Sequence, residues 1–184
     1  SMSTRLKRPD PYLPPAGLVD CAGAFDGKLK TLHVGLGASL VAAAGGAPIV
    51  MHGAENIPAK AGSTPYHVLR AMGIETARSL SQIPRDLSAC RAAYLHQPLY
   101  NPAIHALLEE RRHVGKRTFF NTIEPLANPL RASIHIGGFF HREYGERICE
   151  AVRGSRIGFS RMFMVMGIEG SEEIRPDRSL VAVL

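Results

Sequence analysis

Residues 51–65 read MHGAENIPAKAGSTP and join an apolar, strand-like run to an amphipathic helix. Thr64 or Ser63 can cap this helix, and Pro65 suits its first turn. The unpaired N–H groups and the dipole at the start of a helix attract anions, and Lys60 adds a positive charge nearby. The segment therefore predicts a phosphate site in a strand-loop-helix unit. An ordinary connection without a ligand is the alternative.

Composition favours one α/β domain. A chain of 184 residues with 45% hydrophobic content can bury a sizeable core, and 18 Gly and 13 Pro indicate many turns. The long apolar run, residues 36–51, is interrupted by Gly45 and Gly46, so it predicts a helix followed by a strand rather than a membrane span. We expect no membrane association and a reducing cytoplasm, because there is no signal-peptide pattern and three cysteines lie far apart, Cys21, Cys90 and Cys149.

The N-terminal segment is predicted to lie outside the folded domain. Ser1 and Met2 are typical of the scar that protease cleavage of an expression tag leaves. Residues 1–15 contain four prolines and predict a loosely ordered arm. The domain is then expected to occupy residues 16–184.

Strand-like and helical segments alternate along that domain. Strands are predicted near residues 18–22, 48–51, 93–95, 133–136, 162–166 and 181–184. Helices are predicted near residues 36–44, 65–72, 102–114 and 142–153, with short helical pieces over 74–91. This order predicts a mainly parallel central sheet flanked by helices, with ligands bound at the carboxyl ends of its strands.

Basic residues are concentrated in one short segment. The formal net charge is +6, which favours anionic partners. Five basic or titratable side chains lie within seven positions: Arg111, Arg112, His113, Lys116 and Arg117. This cluster predicts either a solvated basic face or a surface that contacts phosphates.

Arg111 also continues an apolar helical stripe. In the predicted helix over residues 102–114, it shares one face with Ile104, Leu107 and Leu108. A half-buried arginine needs an anionic partner. Arg111 therefore either pairs with a carboxylate of the protein or points into a ligand cleft.

Three motifs in order resemble the anthranilate phosphoribosyltransferase family. The first is VMHG at 50–53, followed by KAGS at 60–63 and LRAMG at 69–73. The second runs from YNPA at 100–103 through Arg111 to GKRTFFNTIEPLANP at 115–129, similar to the family's Gly-x-Arg-Thr-x-Phe-Asn-x-x-Gly-Pro-Leu-x-Asn-Pro. The third is GSEE at 170–173, which stands where the family has a Gly-x-Asp-Glu magnesium motif.

The resemblance implies a nucleoside phosphorylase/phosphoribosyltransferase-like fold, with the family's helical lid domain largely missing from this chain. In that family an amine displaces pyrophosphate from phosphoribosyl pyrophosphate in the presence of Mg²⁺. By resemblance, phosphate contacts are assigned to Gly23, Asp26, Lys60, Gly62, Ser63 and Thr64. The acceptor side is assigned to His52, Gly53, Asn101 and Arg111. Magnesium is assigned to Glu172 and Glu173.

Departures from the family pattern concentrate in the donor loops. Phe25 stands where the family has a bare glycine loop, and Met51 replaces a phosphate-binding lysine. Glu55 replaces an arginine, and Asn101 replaces a histidine. We therefore expect a phosphoribosyltransferase-like protein with a partly degraded donor site and an unidentified acceptor, whose ligand is phosphoribosyl pyrophosphate or another phosphorylated small molecule.

Two alternatives to an enzyme stay open. The first is a non-catalytic paralogue that binds single-stranded nucleic acid through the basic residues Arg111, Arg112, Lys116 and Arg117. The second is a catalytically silent partner or scaffold. The oligomeric state is not predicted.

Overall fold

One sheet organises the part of the chain that the computed structural model describes, which is residues 14–22, 32–58, 62–167, 173–174, 177 and 180–183. Its strands are β1 (Val19–Ala22), β2 (Ile49–Gly53), β3 (Ala92–His96), β4 (Ile134–Gly138), β5 (Arg161–Met166) and β6 (Leu180–Val183). The strand order is β3-β2-β1-β4-β5-β6. The first five strands are parallel, and β6 pairs antiparallel with β5. The predicted mainly parallel sheet is confirmed.

Eight helices connect these strands within the described residues. They are α1 (Val34–Ala44), α2 (Pro65–Ala71), α3 (Ile83–Cys90), α4 (Gln97–Tyr100), α5 (Pro102–His105), α6 (Leu108–Val114), α7 (Phe120–Ile123) and α8 (Arg142–Arg153). Parallel neighbours need such crossover connections, since a tight turn cannot return the chain to the same edge. A short 3₁₀ turn, Glu124–Leu126, follows α7.

Local sequence signals mark the ends of α1 and α2. The Ala-rich α1 stops before Gly46, whose φ of +100° is a left-handed conformation that favours glycine. Thr64 is the N-cap of α2 and Pro65 its first residue. After α2, Gly73 turns the chain with a φ of +78°. The predicted strand-loop-helix unit is therefore confirmed.

The prediction of a single helix over residues 102–114 is wrong, because the structure has two helices there, α5 and α6. At the break, the Leu107 N–H donates to the carbonyl of Ile104, three residues back. This tighter turn changes the phase of the helix. Leu107 is consequently 37% exposed, whereas Ile104 and Arg111 are buried.

Apolar side chains cover both faces of the sheet. Two clusters pack helices against β1, β2 and β3, and a third packs α8 against β5 and against Phe139, which follows β4. Strands buried on both faces are typical of parallel sheets, which explains their continuous apolar runs. The outer face of α1 stays open, with Val34 61% and Val41 74% exposed. Within the described part of the chain, none of the helices combines the length and the hydropathy that a membrane crossing needs.

Strand register brings four loop starts to one edge. Ala22 at the end of β1 is opposite Gly137 of β4, and Gly53 at the end of β2 is opposite His96 of β3. The loops that follow these strands therefore begin side by side. Ligands of open α/β sheets bind at such carboxyl edges.

Candidate functional site

Two open clefts meet at this carboxyl edge, on either side of the loop after β2. The first is named the α1 cleft, and the residues that line it but not the second are Cys21, Gly35, Leu36, Ser39, Met51, Thr64 and Pro65. The second is named the α7 cleft, and the residues that line it but not the first are Gln97, Tyr100, Asn121, Glu124 and Pro125. Both share Ala22, His52, Gly53, Ala54 and Ile57. The two clefts therefore adjoin each other at one short segment.

A carboxylate already lies at the start of α1. The backbone N–H of Gly35 donates to Glu173 Oε1 over 2.8 Å, and Glu173 is only 8% exposed. This N–H belongs to the first turn of α1, where N–H groups have no partner within the helix. Glu173 thus stabilises the positive end of the helix dipole at the wall of the α1 cleft.

The predicted phosphate residues are only partly described. Thr64 is buried, and its hydroxyl donates to the carbonyl of Ala54 over 3.1 Å, so this hydroxyl anchors the loop after β2. Ser63 is exposed, and its hydroxyl and carbonyl oxygens lie 3.1 and 3.0 Å from His33 Nε2. Gly62 precedes it and is half-buried. The remaining members of the predicted phosphate and metal sets, Gly23, Asp26, Lys60 and Glu172, lie outside the described residues.

His52 lies at the junction of the two clefts, but its ring faces inward. The side chain is 4% exposed. Its Nδ1 is 2.9 Å from the Tyr100 hydroxyl, and its Nε2 is 3.1 Å from the carbonyl of Pro125. Both ring nitrogens are therefore engaged by the protein, and the acceptor-side role of His52 stays a prediction. Gly53 continues this wall, and Asn101 is buried where α4 meets α5.

A buried aspartate in β1 contacts His52. Asp20 in β1 is fully buried, with Oδ1 3.3 Å from His52 Nε2 and Oδ2 2.9 Å from His135 Nδ1. Burial would raise the pKa of Asp20, but the charge of His52 and hydrogen bonds from both imidazoles lower it below its ordinary value. Burial would likewise lower the pKa of His52, yet the charge of Asp20 and hydrogen bonds to Asp20 and Pro125 raise it. At pH values below the raised pKa of His52, the two groups thus form a buried ion pair.

The sequence contained a signal for this pair that our prediction did not use. Asp20 is a charged residue inside an apolar strand, and a buried carboxylate needs a partner. Its partner in the neighbouring strand, His135, lies directly opposite in the β1–β4 register. That register is a tertiary fact, so the signal could have suggested a buried polar site but not its members.

Arg111 pairs with a carboxylate of the protein. Its Nη1 and Nη2 donate to Oε1 and Oε2 of Glu124, each over 2.8 Å. Gln97 Nε2 also donates to Glu124 Oε1 over 2.6 Å. The side chains of Arg111 and Glu124 are only 6% and 13% exposed. Of the two alternatives left open for Arg111, the structure shows the salt bridge, made at the wall of the α7 cleft.

The predicted basic surface loses its first member in the same way. Arg111 is buried, and Arg112 forms an ion pair with Glu109 on the same helix. Lys116 and Arg117 are exposed, and the Arg117 guanidinium lies 3.1 Å from the ring centroid of Phe140. The four basic residues therefore do not share one exposed face.

The described residues do not contain a ready-made metal centre. Across residues 14–22, 32–58, 62–167, 173–174 and 177, no three His, Cys, Asp or Glu side chains are grouped so that they could hold a metal ion. Glu173 is the member of the predicted magnesium pair that the structure places, and it lies at the start of α1.

Comparison with known proteins assigns the chain to a family. The model of a glycosyl transferase family, a/b domain, matches residues 16–183. The chain belongs to this glycosyl transferase family. The anthranilate phosphoribosyltransferase of Corynebacterium aurimucosum is 37% identical over 158 residues, which are 86% of this chain and 44% of that protein. That of Persephonella marina is 29% identical over 157 residues, 45% of its length. The predicted resemblance is confirmed.

Solved structures agree with the family assignment. Anthranilate phosphoribosyltransferase from Thermus thermophilus superposes with a TM-score of 0.75 at 26% identity, covering 91% of this chain and 52% of that one. The Saccharomyces cerevisiae enzyme in complex with PRPP and Mg gives a TM-score of 0.80 at 20% identity, which shows the fold alone, and 49% of that chain is covered. The chain therefore spans about half the length of these family members.

Glu124 is the site residue that the family pattern exposes and our prediction missed. The second motif has Glu124-Pro125-Leu126 where the family pattern has Gly-Pro-Leu. The signal was therefore a charged side chain at a position that carries none in the pattern. Only the structure shows that this carboxylate turns back onto Arg111.

Proposed function

We propose that the protein is a phosphoribosyltransferase-like member of its family, which holds phosphoribosyl pyrophosphate in the α1 cleft and an amine acceptor in the α7 cleft. The observation that carries this proposal is the segment of residues 52–54 and Ile57, which lines both clefts at the carboxyl edge of the sheet. Two reactants held in neighbouring clefts that share these residues would lie close together, and such positioning supplies much of what a transfer reaction needs. Anthranilate phosphoribosyltransferase from Saccharomyces cerevisiae, which shares this fold, has a solved structure in complex with PRPP and Mg.

The proposed reaction demands little acid-base chemistry from the chain. A C–N bond forms between the acceptor amine and the anomeric carbon, the C–O bond to pyrophosphate breaks, and the amine releases its proton to solvent. The protein mainly aligns the two reactants, as positioning and electrostatic stabilisation suffice for such a displacement. The inward-facing ring of His52 fits this division of labour, because it supports the wall between the clefts.

The residues fit a magnesium ion in part. A carboxylate oxygen is the ligand type that Mg²⁺ prefers, and this ion often takes one or two carboxylates together with substrate phosphates. Glu173 would be such a ligand at the start of α1, next to Glu172 in sequence. When bound, the ion would supply positive charge to the departing pyrophosphate.

Weak donor binding is part of the proposal. Glu173 occupies the Gly35 N–H, so a phosphate must displace this carboxylate or reach it through a metal ion. A phosphate next to the Glu173 carboxylate is repelled by it, because both are negative, unless a cation lies between them. We therefore expect phosphoribosyl pyrophosphate to bind only with Mg²⁺, with further contacts from Lys60, Gly62 and Ser63 of the loop between β2 and α2.

Calorimetric titration with phosphoribosyl pyrophosphate, with and without Mg²⁺, tests this proposal. The expected result is binding that requires Mg²⁺ and is lost in Glu173→Gln. A matched control is Glu143→Gln, which removes an exposed carboxylate from α8. Binding that ignores Mg²⁺, or the absence of binding by a chain shown to be folded, would reject the donor site.

A second candidate function is binding of single-stranded nucleic acid, and a specific cleft favours it. Arg117, Phe119, Phe140, His141 and Tyr144 lie around a separate open cleft of about 540 Å³. Phe119 is 63% and Tyr144 49% exposed. Exposed aromatic rings beside a guanidinium are the groups on which unpaired bases stack. The stacking platform that this function needs thus has candidates that the sequence did not make evident.

Fluorescence anisotropy with a labelled oligothymidylate tests this second function. Affinity should fall steeply with salt, and it should be lost in the double variant Arg117→Ala, Phe119→Ala. Arg156→Ala is the matched control, because it removes an exposed arginine that follows α8, away from the aromatic cleft. Equal losses in both variants would indicate a general charge effect and reject a defined site.

A further inference from the structure

The α7 cleft has one unusual wall. Glu124 lines it, and both carboxylate oxygens accept hydrogen bonds from Arg111. Gln97 adds a third donor to the same carboxylate. A carboxylate has about four acceptor sites, so three are used and one is left for a ligand.

Two other polar side chains of this wall, Asn121 and Tyr100, are already engaged within the protein. Asn121 Nδ2 donates to the carbonyl of Pro58 over 3.0 Å, and its Oδ1 accepts from the N–H of Thr118 over 3.0 Å. The Tyr100 hydroxyl is hydrogen-bonded to His52. The cleft consequently offers a ligand an acceptor and a negative side chain, while its arginine is neutralised.

We propose that Glu124 sets the acceptor class: the α7 cleft takes an amine acceptor whose neighbouring group donates a hydrogen bond or carries a positive charge, and rejects one whose neighbouring group is a carboxylate. This inference rests on the proposed transferase function, because it assigns the acceptor of the same site. It also separates this chain from the relatives whose name specifies anthranilate, which is an aromatic amine with a carboxylate.

Two physical terms act in the same direction. An incoming carboxylate would find the fork of Arg111 occupied by a bidentate partner, which is the strongest geometry that an arginine makes. It would also lie beside the buried charge of Glu124, and placing like charges together in a poorly solvated site is a common source of specificity. A cationic or neutral group that donates a hydrogen bond can instead use the remaining acceptor site of the Glu124 carboxylate.

Binding of three matched probes tests the inference. Anthranilate, 2-aminobenzamide and 2-aminobenzylamine share the ring and the reacting amine, and differ in whether the neighbouring group is anionic, neutral or cationic. We expect the chain to bind 2-aminobenzylamine at least about tenfold more tightly than anthranilate, with the amide between them. In Glu124→Gln, this preference should shrink by about tenfold, because Arg111 regains an uncompensated charge.

Several outcomes overturn the inference. They are equal or tighter binding of anthranilate by the unaltered chain, an unchanged preference in Glu124→Gln, and no binding of any probe at millimolar concentration. Thermal melts verify that the variant is folded, and Glu124→Gly gives a second reading if Glu124→Gln is unstable. Glu109→Gln is the control, since it removes an exposed carboxylate of α6.

Donor and acceptor binding are measured apart, so the two proposals can fail separately. Probe preference needs neither phosphoribosyl pyrophosphate nor Mg²⁺. A chain that shows the preference but never binds the donor would reject the transferase and keep the acceptor assignment. A chain that binds the donor with Mg²⁺ but prefers anthranilate would do the reverse.

Discussion

The buried pair of Arg111 and Glu124 makes a quantitative prediction about stability. The side chains are 6% and 13% exposed, so water screens their attraction little. Removing one partner of a buried ion pair costs about 3–5 kcal/mol, mainly because the other charge is left uncompensated. We expect Arg111→Met to lower the free energy of unfolding by about 3 kcal/mol. Glu124→Gln should cost less, about 2 kcal/mol, because the amide oxygen still accepts from Arg111.

The double variant decides whether the two side chains act as a unit. If they do, it should cost about 3 kcal/mol instead of the sum of about 5, which corresponds to a coupling energy of about 2 kcal/mol. Urea denaturation followed by circular dichroism measures all four proteins, and equal m-values verify that the same surface unfolds. Additive losses, with a coupling energy below about 0.5 kcal/mol, would refute the reasoning.

The exposed pair of Arg112 and Glu109 provides the matched control. It joins the same two residue types on α6, but its side chains are 46% and 66% exposed. Exposed pairs contribute little because solvent screens them and side-chain entropy opposes them. The cycle of Arg112→Met and Glu109→Gln should therefore be additive within error.

Three further predictions concern the buried centre of the sheet. Gly137→Ala should destabilise the protein by about 2 kcal/mol, because the new Cβ would press on His135 Nε2 and lie 3.2 Å from the carbonyl oxygen of Ala22. The control is Gly37→Ala in α1, where the new Cβ enters open space and should stabilise the protein by about 0.5–1 kcal/mol. Similar thermal melts for both variants would count against the packing shown. Because the pKa of His52 is raised above 6.5 in the folded protein, its contribution to the free energy of unfolding is complete below pH 6.5 and is lost as the pH rises through the folded pKa. Urea titrations should therefore show stability that falls above pH 6.5. A fall of the same steepness in His52→Gln would contradict this origin. Asp20→Asn should cost about 3–5 kcal/mol, since the buried carboxylate is hydrogen-bonded to His135 and lies 3.3 Å from His52 Nε2. A loss under about 1 kcal/mol in denaturant titrations would show that the carboxylate is not ionised there.

Local signals predicted most secondary structure because they act over a few residues. The cap at Thr64, the proline after it and the left-handed glycine at position 73 are such signals, and α2 follows them. The prediction of one helix over residues 102–114 was wrong because the apolar stripe does not show the tighter turn at Leu107, and the stripe also left the partner of Arg111 open. A helical stripe cannot report a partner thirteen residues away in another element.

The sequence by itself determined the family, the alternation of strands and helices, and therefore the edge of the sheet where ligands would lie. Apolar periodicity and three ordered motifs suffice for this, since both are properties of neighbouring residues. Only the tertiary structure decided that Glu124 neutralises Arg111, that Glu173 lies on the start of α1, and that Asp20 lies between two histidines. Charges separated along the chain have no fixed distance until the strands adopt their register, and distance together with burial determines what a charge can bind.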